Sequence, residues 1–173
     1  MEMVSKEKFC VLFVCTGNMC RSPMAEGVLK NRIPIHLKDD MVVQSAGVGT
    51  WNGAPATELA IQVCQEAQID IADHQSQIIE PEIIEEANLI FALDQGHFST
   101  LRRYFPDSMD HIYLLKEYKN RDISKPDISD PIGESYDFYK IIFEEIDQEI
   151  NRIVPIIIEH AEAFLKPSLD KSQ

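Results

Sequence analysis

Long apolar runs, tryptophan, cysteine and positive charge are all scarce in this chain, and each scarcity excludes something. No apolar stretch approaches the roughly eighteen residues of a membrane span; the run Phe9 to Cys15 is strand-sized. Lys6 and Lys8 precede that run like a basic leader, but it is too short for a signal and no small-residue cleavage site follows. A cytoplasmic protein with no membrane partner is expected. The four cysteines, Cys10, Cys15, Cys20 and Cys64, then do not read as a disulfide framework, and no histidine stands at metal-ligand spacing to them. Lys and Arg total 16 against 29 Asp and Glu, a net charge of −13. So acidic a surface repels nucleic acid, which is excluded as the main partner. Any phosphate site has to be a local positive pocket in a negative molecule.

What is present is an ordinary soluble composition, 45% apolar and 26% charged, over 173 residues, enough for one buried core and short for two. One domain over 1–173 is expected, with 166–173 as a polar tail. The run FCVLFV, Phe9 to Val14, suits a strand buried on both faces of a parallel sheet. Shorter strands are expected at Val42 to Ser45, Leu89 to Leu93 and Ile112 to Leu115. Between them, helical patterns occupy Pro23 to Asn31, Ala56 to Ala67, Pro81 to Ala87 and Gly96 to Phe105. The longest runs from Tyr136 to Leu165 after a Ser135 cap, with Phe138, Ile142, Ile146, Ile150, Ile153 and Ile157 at helical spacing. Pro155 is expected to bend or interrupt it. Strands alternating with helices imply right-handed βαβ units and a three-layer α/β domain around a parallel sheet. The stretch Lys116 to Ser135 is a long loop of the kind that usually carries function.

Cys15 falls just beyond the first strand, where ligands of open α/β sheets bind. The residues after it, Thr16-Gly17-Asn18-Met19-Cys20-Arg21-Ser22, have a chemical order. Gly17 permits a tight bend and Asn18 tolerates a left-handed backbone, so the turn forms an anion nest of N–H groups. A helix beginning near Cys20 to Pro23 adds its positive dipole end, and Arg21 adds a planar fork for two phosphate oxygens. A thiol placed there is favoured as thiolate, which puts a nucleophile and a phosphoryl cradle within eight residues. A bare Cys-x5-Arg arises by chance in about one such chain in five. The preceding strand, the Gly-Asn within, and the Ser-Pro and helix after it make the functional reading the stronger one.

The run VLFVCTGNMCRSPMAEG resembles the signature of the low molecular weight protein tyrosine phosphatases, a family that includes bacterial protein arginine phosphatases and is related to arsenate reductases. SAGVGTWNGAPA (Ser45 to Ala56), DHQSQ and SDPIGES resemble further family segments, so the likeness covers most of the chain. It implies a phosphotyrosine phosphatase I-like fold, a four-stranded parallel sheet flanked by helices with flavodoxin-like topology. It implies Cys15 as nucleophile, Arg21 as transition-state clamp and Asp130 as general acid and base, hydrolysing phosphotyrosine through a phosphocysteine with no cofactor or metal. The partners implied are phosphorylated proteins or small phosphomonoesters, with inorganic phosphate as product. The residues alone leave Asp127 as a second candidate acid and a turn role for Asp130. Ser45 and His74 align with family residues that brace Asn18; Ser22 either caps the helix or hydrogen bonds the thiolate.

Cys20 either forms a reversible disulfide with Cys15 or packs as a thiol, while Cys10 and Cys64 read as core. In the substrate pocket, Trp51 resembles an aromatic wall, and Met19 stands where arginine phosphatases carry threonine and tyrosine phosphatases an apolar residue. Both favour phosphotyrosine. Ile132 replaces the aromatic that many tyrosine phosphatases place there, and LKEY through DPIGES resembles bacterial members including arginine phosphatases, so phosphoarginine is the alternative. An arsenate reductase needs further cysteines after the third strand, and Leu89 to Tyr104 has none. A non-catalytic phosphate-binding module is disfavoured by the presence of Cys15, Arg21 and Asp130 together. Arg102 or Arg103 is expected to add to the attraction for phosphate near Arg21.

Overall fold

The computed structural model describes residues 8–120 and 122–166; the expected tail beyond Lys166 lies outside them. Strand β1 (Phe9–Cys15) is buried along its whole length. With β2 (Met41–Gly47), β3 (Leu89–Ala92) and β4 (Ile112–Leu114) it forms one parallel sheet in the order β2-β1-β3-β4. Each strand lies within two residues of the span expected at either end. The chain leaves β1 to one side for β2, then crosses to the other side for β3. The topological switch therefore falls at the carboxyl end of β1, where Cys15 pairs with Gly47.

The period of two along β1 assigns its side chains to two cores. Phe9, Val11, Phe13 and Cys15 pack with helices α1 (Arg21–Arg32), α2 (Glu58–Glu66) and α5 (Tyr136–Leu165). Leu12 and Val14 face Ile84 of α3 (Pro81–Glu86) and Leu101 of α4 (Gln95–Tyr104). The result is the expected three-layer α/β architecture. Aromatic packing closes one face: Phe13 stacks on Phe91 at 5.7 Å, and Phe91 meets the edge of Tyr118 at 5.1 Å.

Helix ends follow their caps. Thr57, Asp94 and Ser135 each accept a backbone N–H three residues on, opening α2, α4 and α5. Helix α1 starts two residues before Pro23, which is tolerated because a proline in the first turn removes an N–H that has no helical partner. Pro155 does not interrupt α5, so of the two expected outcomes, a bend or a break, the break does not occur. Both Pro155 and Asn151, whose carbonyl loses its partner, lie on the exposed face, where the carbonyl is open to solvent and the lost bond costs little.

Candidate active site

The loop from Cys15 to Arg21 is held by its carbonyls. Cys15 O accepts from Val48 N (2.9 Å), Thr16 O from Gly49 N (3.0 Å), Asn18 O from His74 Nε2 (2.7 Å) and Met19 O from Thr57 N (2.9 Å). A trans peptide points its N–H opposite to its C=O, so turning these oxygens toward the scaffold turns the N–H groups of Thr16, Gly17, Met19 and Cys20 the other way. Those N–H groups and the first turn of α1 form an anion nest. Gly47 makes the approach possible: a Cβ there would lie 2.5 Å from Thr16 O. The left-handed position is Asn18 (φ 53°), whereas Gly17 has no positive φ.

Asn18 is fully buried and saturated. Its Nδ2 donates to Ser22 Oγ (2.8 Å) and Ser45 Oγ (2.9 Å), and its Oδ1 accepts from Gln77 N (2.9 Å). Ser45 Oγ in turn donates to Glu26 Oε2 at 2.5 Å. Because Ser22 Oγ accepts from Asn18, its own hydrogen is free for Cys15 Sγ, 2.9 Å away. The sulfur also accepts from Asn18 N at 3.2 Å. Ser22 makes no cap to α1, so of its two expected roles the structure contains only the contact to sulfur.

Arg21 is buried and aimed by three acceptors. Nη1 donates to Asp94 Oδ2 and to Ile128 O, both at 2.8 Å, and Nη2 to Asp130 Oδ2 at 3.2 Å. Asp130 remains 43% exposed and also accepts from Ile132 N at 3.1 Å. Asp127, the second candidate acid, is engaged elsewhere, accepting from Gln95 N at 2.8 Å. Arg102 and Arg103 do not join the site. They lie in the last turn of α4, about 10 Å along the helix from the end that carries Asp94.

Trp51 and Ile132 are 66% and 53% exposed. Trp51 follows the Gly49 that binds Thr16, and Ile132 follows Asp130, so both stand on loops tied to the nest. Met19 is half-buried with its Cε folded toward Gly17. The thiol of Cys20 lies 3.3 Å from Tyr139 Oη and 3.4 Å from Thr57 Oγ1, and burial pushes it up from its ordinary value. Cys64 is fully buried, which pushes its thiol up to about 12. Cys10, also buried, is raised chiefly by burial, with Glu86 adding to it. All four thiols are free.

Known proteins share this sequence pattern and fold. The family model for low molecular weight phosphotyrosine protein phosphatase matches residues 10–163. The chain belongs to that family. A protein-arginine-phosphatase from Geobacillus stearothermophilus is 35% identical over 144 residues, spanning 83% of this chain and 92% of the relative. The low molecular weight protein-tyrosine-phosphatase PtpA of Staphylococcus epidermidis is 29% identical over 152 residues, 87% and 95% of the two chains. The solved low molecular weight protein tyrosine phosphatase from T. tengcongensis superposes with a TM-score of 0.78 at 35% identity, covering 86% of this chain and 99% of that one.

In this phosphatase family member, sequence reasoning missed Asp94, His97, Glu26 and Gln77. Asp94 had a local signal, a capping aspartate before a helix, though nothing local linked it to Arg21. His97 had none. It is 3% exposed with Nε2 at 2.8 Å from Thr16 Oγ1. Burial lowers it to about 4 against the opposing pull of Asp94. Among the described residues, no cluster of three or more His, Cys, Asp or Glu is arranged to hold a metal ion, and no helix is long and apolar enough to cross a membrane.

Proposed function

We propose that the chain hydrolyses phosphotyrosine through a phosphocysteine, with Cys15 as nucleophile, Arg21 as clamp and Asp130 as acid and base. The observation that carries this reading is the convergence of Cys15 Sγ, a nest of inward N–H groups and Arg21 Nη2 with Asp130 Oδ2. The thiolate attacks phosphorus from within the nest, and the bond to the leaving oxygen breaks. The departing phenoxide takes its proton from Asp130, which then accepts one from the water that attacks phosphorus, forming a P–O bond as the S–P bond breaks. Inorganic phosphate leaves and the thiolate is regenerated, stabilised by the hydroxyl of Ser22. Ser45 and His74 hold Asn18 so that the nest keeps its shape.

Trp51 supports phosphotyrosine, since an exposed aromatic on a loop bonded to the nest suits a flat phenyl ring. Met19 adds an apolar surface. The second reading, phosphoarginine, is favoured by the relative named protein-arginine-phosphatase at 35% identity. The reading takes 1–173 as one domain, supported by a single sheet with helices on both faces. It places the enzyme in the cytoplasm, where free thiols persist.

Steady-state turnover of phosphotyrosine and phosphoarginine peptides, run beside Cys15→Ser, decides between them. Phosphotyrosine turnover that is lost at least about a thousand-fold in Cys15→Ser is expected. Turnover of phosphoarginine alone selects the second reading, and equal slow hydrolysis by wild type and variant removes both.

A further inference from the structure

Two braces hold the loop, on opposite sides. One is the set of contacts around Asn18. The other starts from the first turn of α4, where Asp94 takes Arg21 Nη1 on one carboxylate oxygen (2.8 Å) and the backbone N–H of His97 on the other (2.9 Å). His97 then reaches back with Nε2 to Thr16 Oγ1. Its Nδ1 lies 3.1 Å from Asp94 Oδ1 but off-axis, making no aligned hydrogen bond there. Thr16 and Arg21 are the second and seventh of the seven residues from Cys15 to Arg21. The contacts Thr16–His97–Asp94–Arg21 thus form an arc outside the loop that joins its two ends.

We infer that His97 is a positioning residue, which ties the Thr16 side chain to the turn that aims Arg21 and so fixes both ends of the loop to one rigid element. Thr16 is otherwise exposed, and its backbone is held only on the opposite side, by Gly49. Without the hydroxyl contact its side chain is free to rotate and the peptide planes on either side lose one restraint. An imidazole that served only to fill the core would need no polar partner at the surface. The titratable and charged groups facing His97 are Asp94, Arg21, Asp130 and Asp127. Its lowered basicity leaves the ring uncharged at neutral pH, so it does not draw Asp94 away from Arg21 as an imidazolium would. With a hydrogen on Nδ1, on the side of Asp94, Nε2 accepts a hydrogen bond from the Thr16 hydroxyl.

The inference rests on the phosphatase reading above, and the test separates the two. Thr16→Val keeps the shape of an exposed residue, so it folds whatever His97 does. It is expected to lower kcat roughly ten-fold with KM within about two-fold, because a loosened loop loses transition-state contacts more than ground-state ones. Thr16→Ser restores kcat, and the Thr16→Val/His97→Phe double variant is no slower than the slower single variant. Wild-type kcat in Thr16→Val, or two losses that multiply in the double variant, overturns the brace. If the wild type turns over no phosphomonoester, the phosphatase reading fails. The brace is then decided by calorimetric affinity for orthovanadate, a five-coordinate mimic of the transition state, which Thr16→Val weakens about five-fold if His97 acts through the loop, and equal affinity overturns it.

Discussion

Arg21 faces two carboxylates of different freedom. Asp94 is committed at both oxygens, to Arg21 and to the N–H of His97. Asp130 stands in a long loop, more exposed, with a longer contact to Arg21. Asp130 also holds both oxygens, on Arg21 and on the N–H of Ile132, but both contacts are longer and its side chain is more exposed, so it releases the guanidinium for a leaving oxygen more readily than Asp94 does. The acid role proposed for it predicts that Asp130→Ala lowers kcat about 100- to 1,000-fold for a phenyl phosphate with a poor leaving group. The loss is much smaller for p-nitrophenyl phosphate, whose leaving group needs little protonation; equal losses would assign protonation to another group. His97 makes a second prediction, on stability. Its folded value near 4 lies below the ordinary 6.5, so the unfolded chain takes up the proton first as pH falls. Stability from this group is complete above about pH 6.5 and is lost between there and pH 4, to a total on the order of 3 kcal/mol. Urea unfolding at steps across that window reads it, and His97→Phe should flatten the slope. An unchanged slope would mean that the imidazole is solvated in the native state.

Among the elements, β1 and α5 were legible because each side chain's polarity reports its face. Seven consecutive buried residues mark a strand covered on both sides, and the isoleucines of α5 recur every three to four positions. Helix α5 also tests how exposed proline is tolerated. Pro155→Ala restores a hydrogen bond to Asn151 at an exposed position, so it should raise stability by about 1 to 3 kcal/mol in urea titrations. A loss would show that the proline shapes the helix for its contacts with α1. The second brace was illegible for the opposite reason. Thr16 and His97 are 81 positions apart, and Arg21 and Asp94 are 73 apart. No periodicity spans such a distance, and a histidine in an amphipathic helix looks like any core-facing ring. The Asn18 brace is long-range too, at 27 to 59 positions, and Ser45 and His74 entered through resemblance alone, whereas the nest itself is local and could be read residue by residue. Arg102 and Arg103 misled because a sequence shows that charges lie on one helix but not which end of it meets the site.

At the scale of the whole molecule, the charge of −13 bears on which substrates arrive. Beside Asp130, the exposed side chains of Asp127, Glu134 and Asp137 place carboxylates along the segment that borders the nest. Their field opposes a phosphate group at long range, and only the nest and Arg21 reverse it at contact. A phosphopeptide whose flanking residues are basic therefore gains where its phosphate loses, and one with acidic flanks loses twice. The ratio of kcat/KM for lysine-flanked over glutamate-flanked phosphotyrosine peptides should be about ten-fold at low ionic strength. Added salt shortens the screening length to about 8 Å at 0.15 M and about 3 Å at 1 M, so the ratio should fall toward unity across a salt titration. A term confined to the nest is screened far less, and Arg21→Lys should lower both peptides together without changing the ratio. Were the preference to run toward acidic flanks, or to persist undiminished at 1 M salt, recognition would come from a specific pocket for flanking residues rather than from the field of the surface.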